Sequence, residues 1–502
     1  MKITKSILLA SLLVLLVSSN VIAADDEEKA KTLAVPELKS FVTKHSGVFG
    51  GKKLNYLATV SNMHLTNDKG EIIADAVTTA YTVAGAKGNR PVTFVFNGGP
   101  GSSSVWLHMG LVGPKRVVVP SDAKDAGVAP YSIVDNHYSP LDVTDIVMID
   151  PIGTGFSVLA GKGKAEDVWS VKQDASTVSQ IVKRWIKQNN RWNSPKYLLG
   201  ESYGTTRAAA MLPFLDSDDS PLHFNGLVLI SQALDYTGST PTNDNIIANV
   251  TYLPTMAATA WYHGKSAYQA EKLATLITQV KKFAVERYLP ALFQGTALSS
   301  KEFNAVAEQL AGFIGVDVNY VKRAKLRINA WRHLKELSRD KNLITGSFDS
   351  RYQAADLDTF GLTGKFDAAS EAISSAFTAA LNDYLRADLK VDWQRDYMIS
   401  GSQVSKNWVY YRNTAGKEPK YVNTANDLAL EMKKNPHMKV MLASGYFDYA
   451  TPFFDAEYTL NRHDIDINRI KMTHYQSGHM IYLHQPSLKK LAADLRKFYQ
   501  AN

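Results

Sequence analysis

The 502-residue sequence contains no cysteine. This absence excludes disulfides, cysteine nucleophiles and thiolate metal sites. Long basic blocks are also missing, and a formal net charge of +8 is small for a chain of this length. Such a balance is not typical of nucleic-acid-binding proteins, so we expect no nucleic-acid partner. Because no metal-ligand cluster, phosphate loop or nucleotide fingerprint stands out, we also predict that the protein uses no metal and no cofactor.

A long apolar run is present only near the N-terminus. Lys2 and Lys5 precede apolar residues 7–17, and small residues then lead to the acidic residues 25–28. The run is too short to span a bilayer, and the pattern is typical of a secretory signal peptide. We therefore predict a signal peptide over residues 1–24, a periplasmic or secreted protein, and no stable membrane insertion.

The most informative stretch is Gly-Glu-Ser-Tyr-Gly at positions 200–204. It follows the apolar residues 197–199 and precedes the helix-favouring residues 208–212. A serine on a sharp strand-to-helix turn exposes its hydroxyl in a cleft, and the helix N-terminus can receive developing negative charge. We predict that Ser202 is the nucleophile of such an elbow; the alternative is an ordinary turn serine.

Strand and helix patterns alternate on both sides of this elbow. Residues 54–84 alternate apolar and polar side chains around a turn, which predicts an antiparallel hairpin. Buried strands are predicted at 91–96, 143–149, 197–199 and 226–230, with an amphipathic helix at 169–189. The pattern predicts an α/β fold whose mostly parallel central sheet places the ligand site at the carboxyl ends of its strands.

Helical periodicity then dominates residues 243–395. We predict helices at 267–289, 301–314, 321–337 and 368–385, before strands return at 438–443 and 470–473. A helical block framed by strands of one sheet indicates an insertion over the site. The predicted organisation is a first core part at 25–240, a helical cap insertion at 241–400, and a second core part at 401–502.

A serine hydroxyl needs a base, and the base needs an acid that orients it. Asp448 follows the first returning strand and His479 follows the second, so the chain order is serine, aspartate, histidine. This is the order that an α/β-hydrolase fold requires. We predict Asp448 and His479 as the partners of Ser202.

Other residues compete for these roles. Asp455 and Asp464 are alternatives to Asp448, but they fall in a predicted helix and at its end. His474 and His484 are interpreted as structural, whereas His108 is a candidate for lining the cleft.

Taken together, the motifs resemble those of the serine carboxypeptidase family of α/β-hydrolases, as a cysteine-free member of bacterial type. The matching segments are Asn-Gly-Gly-Pro-Gly-Ser-Ser at 97–103, the Asp-Pro-Ile-Gly segment at 150–157, Gly-Glu-Ser-Tyr-Gly at 200–204, Gly-Tyr-Phe-Asp at 445–448 and Gly-His-Met at 478–480. They occur in the family's order across residues 90–485.

The resemblance implies further roles. The backbone N–H groups of Gly99 and Tyr203 would form the oxyanion hole, and Asn97, Gly98 and Glu201 would bind the C-terminal carboxylate of a peptide. An ionised Glu201 about 4 Å from that carboxylate would cost roughly 4 kcal/mol at an effective dielectric near 20, so one of the two groups must carry a proton. We therefore expect activity to be favoured at acidic pH.

Several positions depart from the family pattern, including Thr205-Thr206-Arg207, which stand where small residues are common after Gly-Glu-Ser-Tyr. Leu111 stands where a second acidic residue is usual, which leaves Glu201 without its expected proton-sharing partner. Ser102 replaces a cysteine, and Tyr446 replaces the first aspartate of Gly-Asp-x-Asp. Arg207, after the elbow, is expected to pack against the helical block or to form an ion pair.

The predicted function is that of an exported serine carboxypeptidase that acts on peptides with a free C-terminus through an acyl-enzyme. The alternatives are an acyltransferase or esterase on the same scaffold and, from another class, a non-catalytic binding protein. The sequence does not determine the oligomeric state.

Overall fold

The structure is a computed structural model that describes residues 32–85, 89–217, 220–242, 244–269, 272–410 and 421–501. The predicted signal peptide therefore lies outside the described residues. Within those ranges, no helix combines the length and the apolar character needed to cross a bilayer.

One large sheet runs through the centre of the molecule. Its strands are β1 (Ser40–Phe49), β2 (Lys52–Thr66), β3 (Ile72–Val83), β4 (Val92–Phe96), β5 (Asp145–Asp150), β6 (Lys196–Glu201), β7 (Gly226–Ile230), β8 (Lys439–Gly445) and β9 (Ile470–Tyr475). Their order across the sheet is β1-β2-β3-β5-β4-β6-β7-β8-β9, and the short strand Val158–Leu159 pairs with β3.

The sheet combines two kinds of pairing. Neighbours from β5 to β9 run parallel. The pairs β1–β2, β2–β3 and β3–β5 are antiparallel. The predicted N-terminal hairpin is confirmed as β2 and β3, and β1 extends it by a strand that the sequence analysis did not identify. This topology is that of an α/β-hydrolase, as predicted.

Side chains of the central strands pack on both faces of the sheet. In β6, Tyr197 and Leu199 belong to one apolar cluster, whereas Leu198 belongs to the cluster on the other side. Successive side chains of a strand point to opposite faces, so a strand covered on both sides reads as a continuous apolar run. This explains why the central strands were recognisable in the sequence.

The longer helices are α1 (Val171–Gln188), α2 (Tyr203–Leu215), α3 (Ile246–Tyr262), α4 (Leu273–Phe283), α5 (Ser300–Ile314), α6 (Ala368–Asp383), α7 (Ala425–Lys434), α8 (Phe453–Leu460) and α9 (Gln485–Gln500). Shorter helices are Val105–Leu107, Ala165–Val168, Leu289–Gln294, Val318–Arg323, Ala330–Glu336 and Ser402–Asn407. Wider π turns cover His108–Val112, Ala284–Tyr288 and Tyr384–Asp388. Helices α1 and α2 pack on one face of the sheet, and α6 and α9 pack on the other.

The region between β7 and β8 is mainly helical, and several of its helices share an apolar cluster of their own. The prediction of one helix at 321–337 is wrong. Two short helices form there, Val318–Arg323 and Ala330–Glu336, because Lys325 and Leu326 adopt positive φ values of 50° and 67° that end the first helix. The region also contains a small hairpin of Leu343–Thr345 with Gln353–Ala355.

Candidate active site

Ser202 lies in the turn between β6 and α2. Its φ of 62° and ψ of −133° are far from the conformations that most residues adopt. Close backbone packing makes this turn possible: a Cβ on Gly200 would lie 2.3 Å from the carbonyl oxygen of Gly204. The strained turn leaves Ser202 partly exposed at the carboxyl end of the sheet.

His479 and Asp448 lie in the loops that follow β9 and β8. The imidazole Nδ1 is 2.8 Å from Oδ2 of Asp448. The aspartate is held in turn by three donors, the backbone N–H groups of Ala450 (2.8 Å) and Thr451 (3.0 Å) and the Thr451 hydroxyl (2.6 Å). Burial lowers the pKa of His479, but the carboxylates of Asp448 and Glu201 outweigh it and raise the pKa above its usual value. The contact with Asp448 orients the ring so that Nε2 is available as a base.

A cavity of about 300 Å³ is lined by all of the predicted site residues except Asp448, which lies behind His479 as its hydrogen-bond partner. Ser202 and His479 both line it, without a hydrogen bond between them in the described part of the chain. Such contacts are often long in unliganded hydrolases and tighten when substrate binds. Much of the remaining wall is aromatic: Trp106, Tyr236, Phe348 and Tyr410. Among the described residues, no lysine or arginine lines this cavity.

Glu201 precedes Ser202 in the chain, lines the same cavity and is 2% exposed. Its Oε1 accepts hydrogen bonds from the Asn97 amide (2.7 Å) and from the Tyr482 hydroxyl (3.2 Å). Its Oε2 is buried and has no partner among the described residues. Burial raises the pKa of Glu201 to about 7, against the opposing effects of His479, Tyr482 and Asn97. The site therefore holds an acid that is mostly protonated below about pH 7 and has one buried carboxyl oxygen without a hydrogen-bond partner among the described residues.

Asn97, Gly98 and Gly99 form the neighbouring wall, just after β4. Asn97 Oδ1 accepts the backbone N–H of Leu107 at 3.0 Å, which fixes the amide that holds Glu201. A Cβ on Gly98 would lie 2.4 Å from the backbone nitrogen of Tyr203, so only glycine lets the loop approach the elbow this closely. The first N–H groups of α2 lack partners within their helix and lie beside Ser202.

Arg207 supports the elbow from inside the protein. Its Nε donates to Asp174 of α1 at 2.7 Å, and its Nη1 donates to the backbone oxygen of Asn97 at 2.6 Å. The Tyr203 hydroxyl donates to the same aspartate at 3.1 Å. The expected ion pair is thus present, and it joins α1, α2 and the loop after β4.

A segment of the helical region, residues 347–351, also contacts the loops that carry Asp448 and His479. The backbone N–H of His479 donates to the carbonyl of Phe348 at 2.6 Å, and the two rings lie 5.1 Å apart. Asp349 accepts the N–H of Gly478 at 3.2 Å while pairing with the buried Arg351. Phe348 therefore supports the imidazole and lines the cavity.

The competing histidines occupy other environments. The expectation that His108 lines the cleft is wrong: this residue is 3% exposed, hydrogen-bonds the Tyr81 hydroxyl at 2.5 Å, and does not line the cavity. Burial lowers its pKa to about 3. His474 contacts Glu457 at 3.0 Å, and His484 contacts Ser487 at 2.8 Å.

The competing aspartates are also separate from the imidazole. Asp455 is buried in the first turn of α8, where burial raises its pKa well above the usual value. Asp464 is exposed and pairs with Lys433. Of the three aspartates considered, Asp448 is the one that contacts His479.

Possible metal ligands occur together at Asp216, His223 and Glu431, whose ligand atoms lie within 4.8 Å of one another. No second group of three possible metal ligands occurs among the described residues. Lys434 already pairs with Asp216 at 2.8 Å, so a cation would have to compete with an ammonium group.

The strand order, the elbow between β6 and α2, and the cavity at the carboxyl ends of the strands define the protein as an α/β-hydrolase. A family model described as serine carboxypeptidase matches residues 80–487. The chain belongs to the serine carboxypeptidase family, and it is an enzyme of that class.

No curated protein matches the sequence significantly. Among solved structures, an epoxide hydrolase mutant from Aspergillus niger has 12% identity and a TM-score of 0.35, with 88% of this chain and 78% of that chain covered. A peroxisomal alpha-beta-hydrolase from Saccharomyces cerevisiae has 10% identity and a TM-score of 0.33, with 93% and 90% covered. The juvenile hormone epoxide hydrolase from the silkworm Bombyx mori has 11% identity and a TM-score of 0.32, with 89% and 77% covered.

Proposed function

We propose that the protein is an exported carboxypeptidase that removes residues from the free C-terminus of peptides through an acyl-enzyme on Ser202. The observation that carries this proposal is one cavity lined by Ser202, by His479 and by Glu201, whose buried Oε2 has no hydrogen-bond partner among the described residues. Ser202 and His479 would carry out acyl transfer, and Glu201 in its protonated form would bind the terminal carboxylate of the peptide beside them.

In this mechanism Nε2 of His479 takes the proton of Ser202 as the hydroxyl oxygen attacks the scissile carbonyl. Asp448 keeps Nδ1 protonated and stabilises the imidazolium that forms. The N–H groups of Gly99 and Tyr203 stabilise the oxyanion, and each such donor is typically worth about 3 kcal/mol in the transition state. His479 then protonates the leaving amine. In the second step His479 takes a proton from water as the water oxygen attacks the acyl-enzyme, and it returns that proton to the Ser202 oxygen as the acid product leaves.

Recognition of the terminal carboxylate needs a donor. The donors that the cavity wall offers next to Ser202 are neutral: the side chain of Asn97, the backbone of Gly98 and protonated Glu201. Protonated Glu201 would contribute a hydroxyl, and Asn97 and Gly98 line the same wall of the cavity. With a pKa of about 7, Glu201 carries this proton at acidic and neutral pH and loses it above.

The pH range depends on two coupled groups. Hydrolysis requires that His479 is neutral and that Glu201 carries a proton. The mutual attraction of the two charged forms instead favours protonated His479 beside ionised Glu201. The proton count is the same in both arrangements, so the pair titrates as a unit. We expect activity to rise from strongly acidic pH, to be greatest on the acidic side of neutrality, and to fall as Glu201 ionises.

The helical region is proposed to act as a cap over this site. Phe348 and Ser370, both within residues 241–400, line the cavity. Their position supports a role of this region in shaping the pocket for substrate side chains. Export rests on the signal-peptide pattern of residues 1–24, and mass spectrometry of the mature N-terminus tests it.

The decisive experiment compares an N-blocked dipeptide that has a free C-terminus with its C-terminal amide. We expect the free acid to be cleaved with a much higher kcat/KM at pH 5 to 6. Equal turnover of both would refute the carboxylate-binding role and favour an esterase or acyltransferase. A serine-directed phosphonate should label the protein but not its Ser202→Ala variant; absence of labelling in the wild type would favour a non-catalytic binding protein.

A further inference from the structure

Tyr482 is a contact of Glu201 that the proposed chemistry does not yet use. It lies in the turn Ile481–Leu483, three residues after His479, and is 4% exposed. Its hydroxyl and the Asn97 amide both donate to Oε1 of Glu201. Two donors on one oxygen leave the other, Oε2, as the oxygen without a partner in the described chain.

The surroundings of the Tyr482 ring explain how it reaches Glu201. A Cβ on Gly110 would lie 2.4 Å from two ring carbons of Tyr482, so the ring packs directly against the backbone of the π turn His108–Val112. Leu111, in the same turn, is fully buried in the apolar cluster that contains Tyr482. The hydroxyl of Tyr482 thus partners Glu201, and Leu111 contributes only apolar packing.

We propose that Tyr482 is the positioning residue for the carboxylate-binding acid: its hydroxyl holds the carboxyl group of Glu201 in place, and it lowers the pH above which a free peptide C-terminus is no longer accepted. The proposal rests on the carboxylate-binding role proposed for Glu201. A proton on Glu201 belongs on Oε2, because Oε1 already accepts two hydrogen bonds. A donor to a carboxyl group favours its ionised form, so the Tyr482 hydroxyl promotes loss of that proton.

Other groups also act on Glu201. His479, from the loop after β9, favours its ionised form, and Asp448, from the loop after β8, favours the neutral form. Asn97, after β4, donates to the same oxygen as Tyr482. Burial keeps the Tyr482 phenol protonated, since its pKa lies well above the usual value. The hydroxyl therefore remains a donor at every pH at which the enzyme would work.

The test is the pH dependence of kcat/KM for the Tyr482→Phe variant with an N-blocked dipeptide. Removing the donor should move the alkaline fall in activity upward by about half to one pH unit. At pH 5 the KM for the free-acid peptide should rise roughly threefold with little change in kcat, because the carboxyl group loses one of its two anchors. Hydrolysis of an ester without a terminal carboxylate should show neither effect.

A matched control is Tyr197→Phe. Tyr197 is also a buried tyrosine, but it lies outside the cavity and its hydroxyl has no partner among the described residues. This variant should keep the wild-type pH profile. Combining Tyr482→Phe with Glu201→Gln should give no shift beyond that of Glu201→Gln alone, since the group on which Tyr482 acts no longer titrates.

The possible results separate the two proposals. If the wild-type enzyme cleaves the free acid and the amide equally, the proposed function fails. If it discriminates between them, but Tyr482→Phe has the same alkaline limb and KM as Tyr197→Phe, only the role of Tyr482 is refuted. Should Tyr482→Phe fail to fold, Gly110→Ala decides: the added methyl displaces the ring and should move the limb upward, and an unchanged limb in that variant refutes the proposal.

Discussion

Glu201→Gln is the substitution with the sharpest expected outcome. Burial raises the pKa of Glu201 from an ordinary 4.5 to about 7. Once ionised, the carboxylate would face the substrate's own carboxylate at about 4 Å, which costs roughly 4 kcal/mol at an effective dielectric near 20. A penalty of that size corresponds to nearly a thousandfold weaker binding. Only the protonated fraction of the enzyme then works on peptides with a free C-terminus.

The expected pH profile follows from the fraction of enzyme in which Glu201 is protonated. Wild-type kcat/KM should fall about tenfold for each pH unit above 7, because one proton is lost. In Glu201→Gln the amide oxygen replaces Oε1 and accepts from Asn97 and Tyr482, while the amide nitrogen replaces the protonated Oε2 as a donor. Since glutamine does not ionise in this range, its profile should stay flat above pH 7 and exceed wild type at pH 9. Below pH 6 we expect a loss of up to about tenfold, as the amide is a weaker donor than a carboxylic acid.

The assay is kcat/KM for an N-blocked dipeptide from pH 4 to pH 9, with the C-terminal amide measured in parallel. Glu431→Gln is a matched control: Glu431 is 4% exposed and burial raises its pKa to about 7, but it lies outside the cavity. This control should retain the alkaline limb. The acid limb of Glu201→Gln should not move upward, because loss of a negative charge near His479 lowers the pKa of the imidazole. An alkaline limb identical to that of wild type would refute the carboxylate-binding role.

Three further substitutions test the acid that orients His479, the buried ion pair behind the elbow, and the close approach of the loop after β4 to α2. Asp448→Asn should lower kcat by roughly ten thousandfold with little change in thermal stability, since the imidazole is then held in the wrong tautomer; a loss below tenfold would contradict its role. Arg207→Leu should reduce the free energy of unfolding in urea by about 3 to 5 kcal/mol, because Asp174 becomes a buried charge without its partner. The double variant with Asp174→Leu should recover part of that loss, and equal stability of the single and double variants would argue against the ion pair. Gly98→Ala should abolish peptide hydrolysis in a folded protein, because the new Cβ would lie 2.4 Å from the first backbone nitrogen of α2; near-normal kcat would show that the loop can move away.

Much of the fold could be read from local sequence. Strand β7 occupies Gly226–Ile230, as predicted, because a strand buried on both faces is a continuous apolar run. Strand β1 was missed because it is an edge strand whose side chains are mostly exposed or half-buried, so its sequence lacks such a run. The prediction of one helix at 321–337 failed at Lys325 and Leu326, where positive φ values are imposed by the fold and not by a glycine or proline.

The sequence by itself determined the elbow at Ser202 and the order of Asp448 and His479, because a turn motif and the positions of strand ends are local properties. Only the tertiary structure decided which groups surround those residues. In the folded chain the Tyr482 hydroxyl donates to Glu201, the Phe348 ring contacts the His479 ring, and buried His108 hydrogen-bonds Tyr81. The residues that these contacts join are 27 to 281 positions apart in the sequence. A hydrogen bond or ring contact over such separations depends on how the elements pack, and no local periodicity records it.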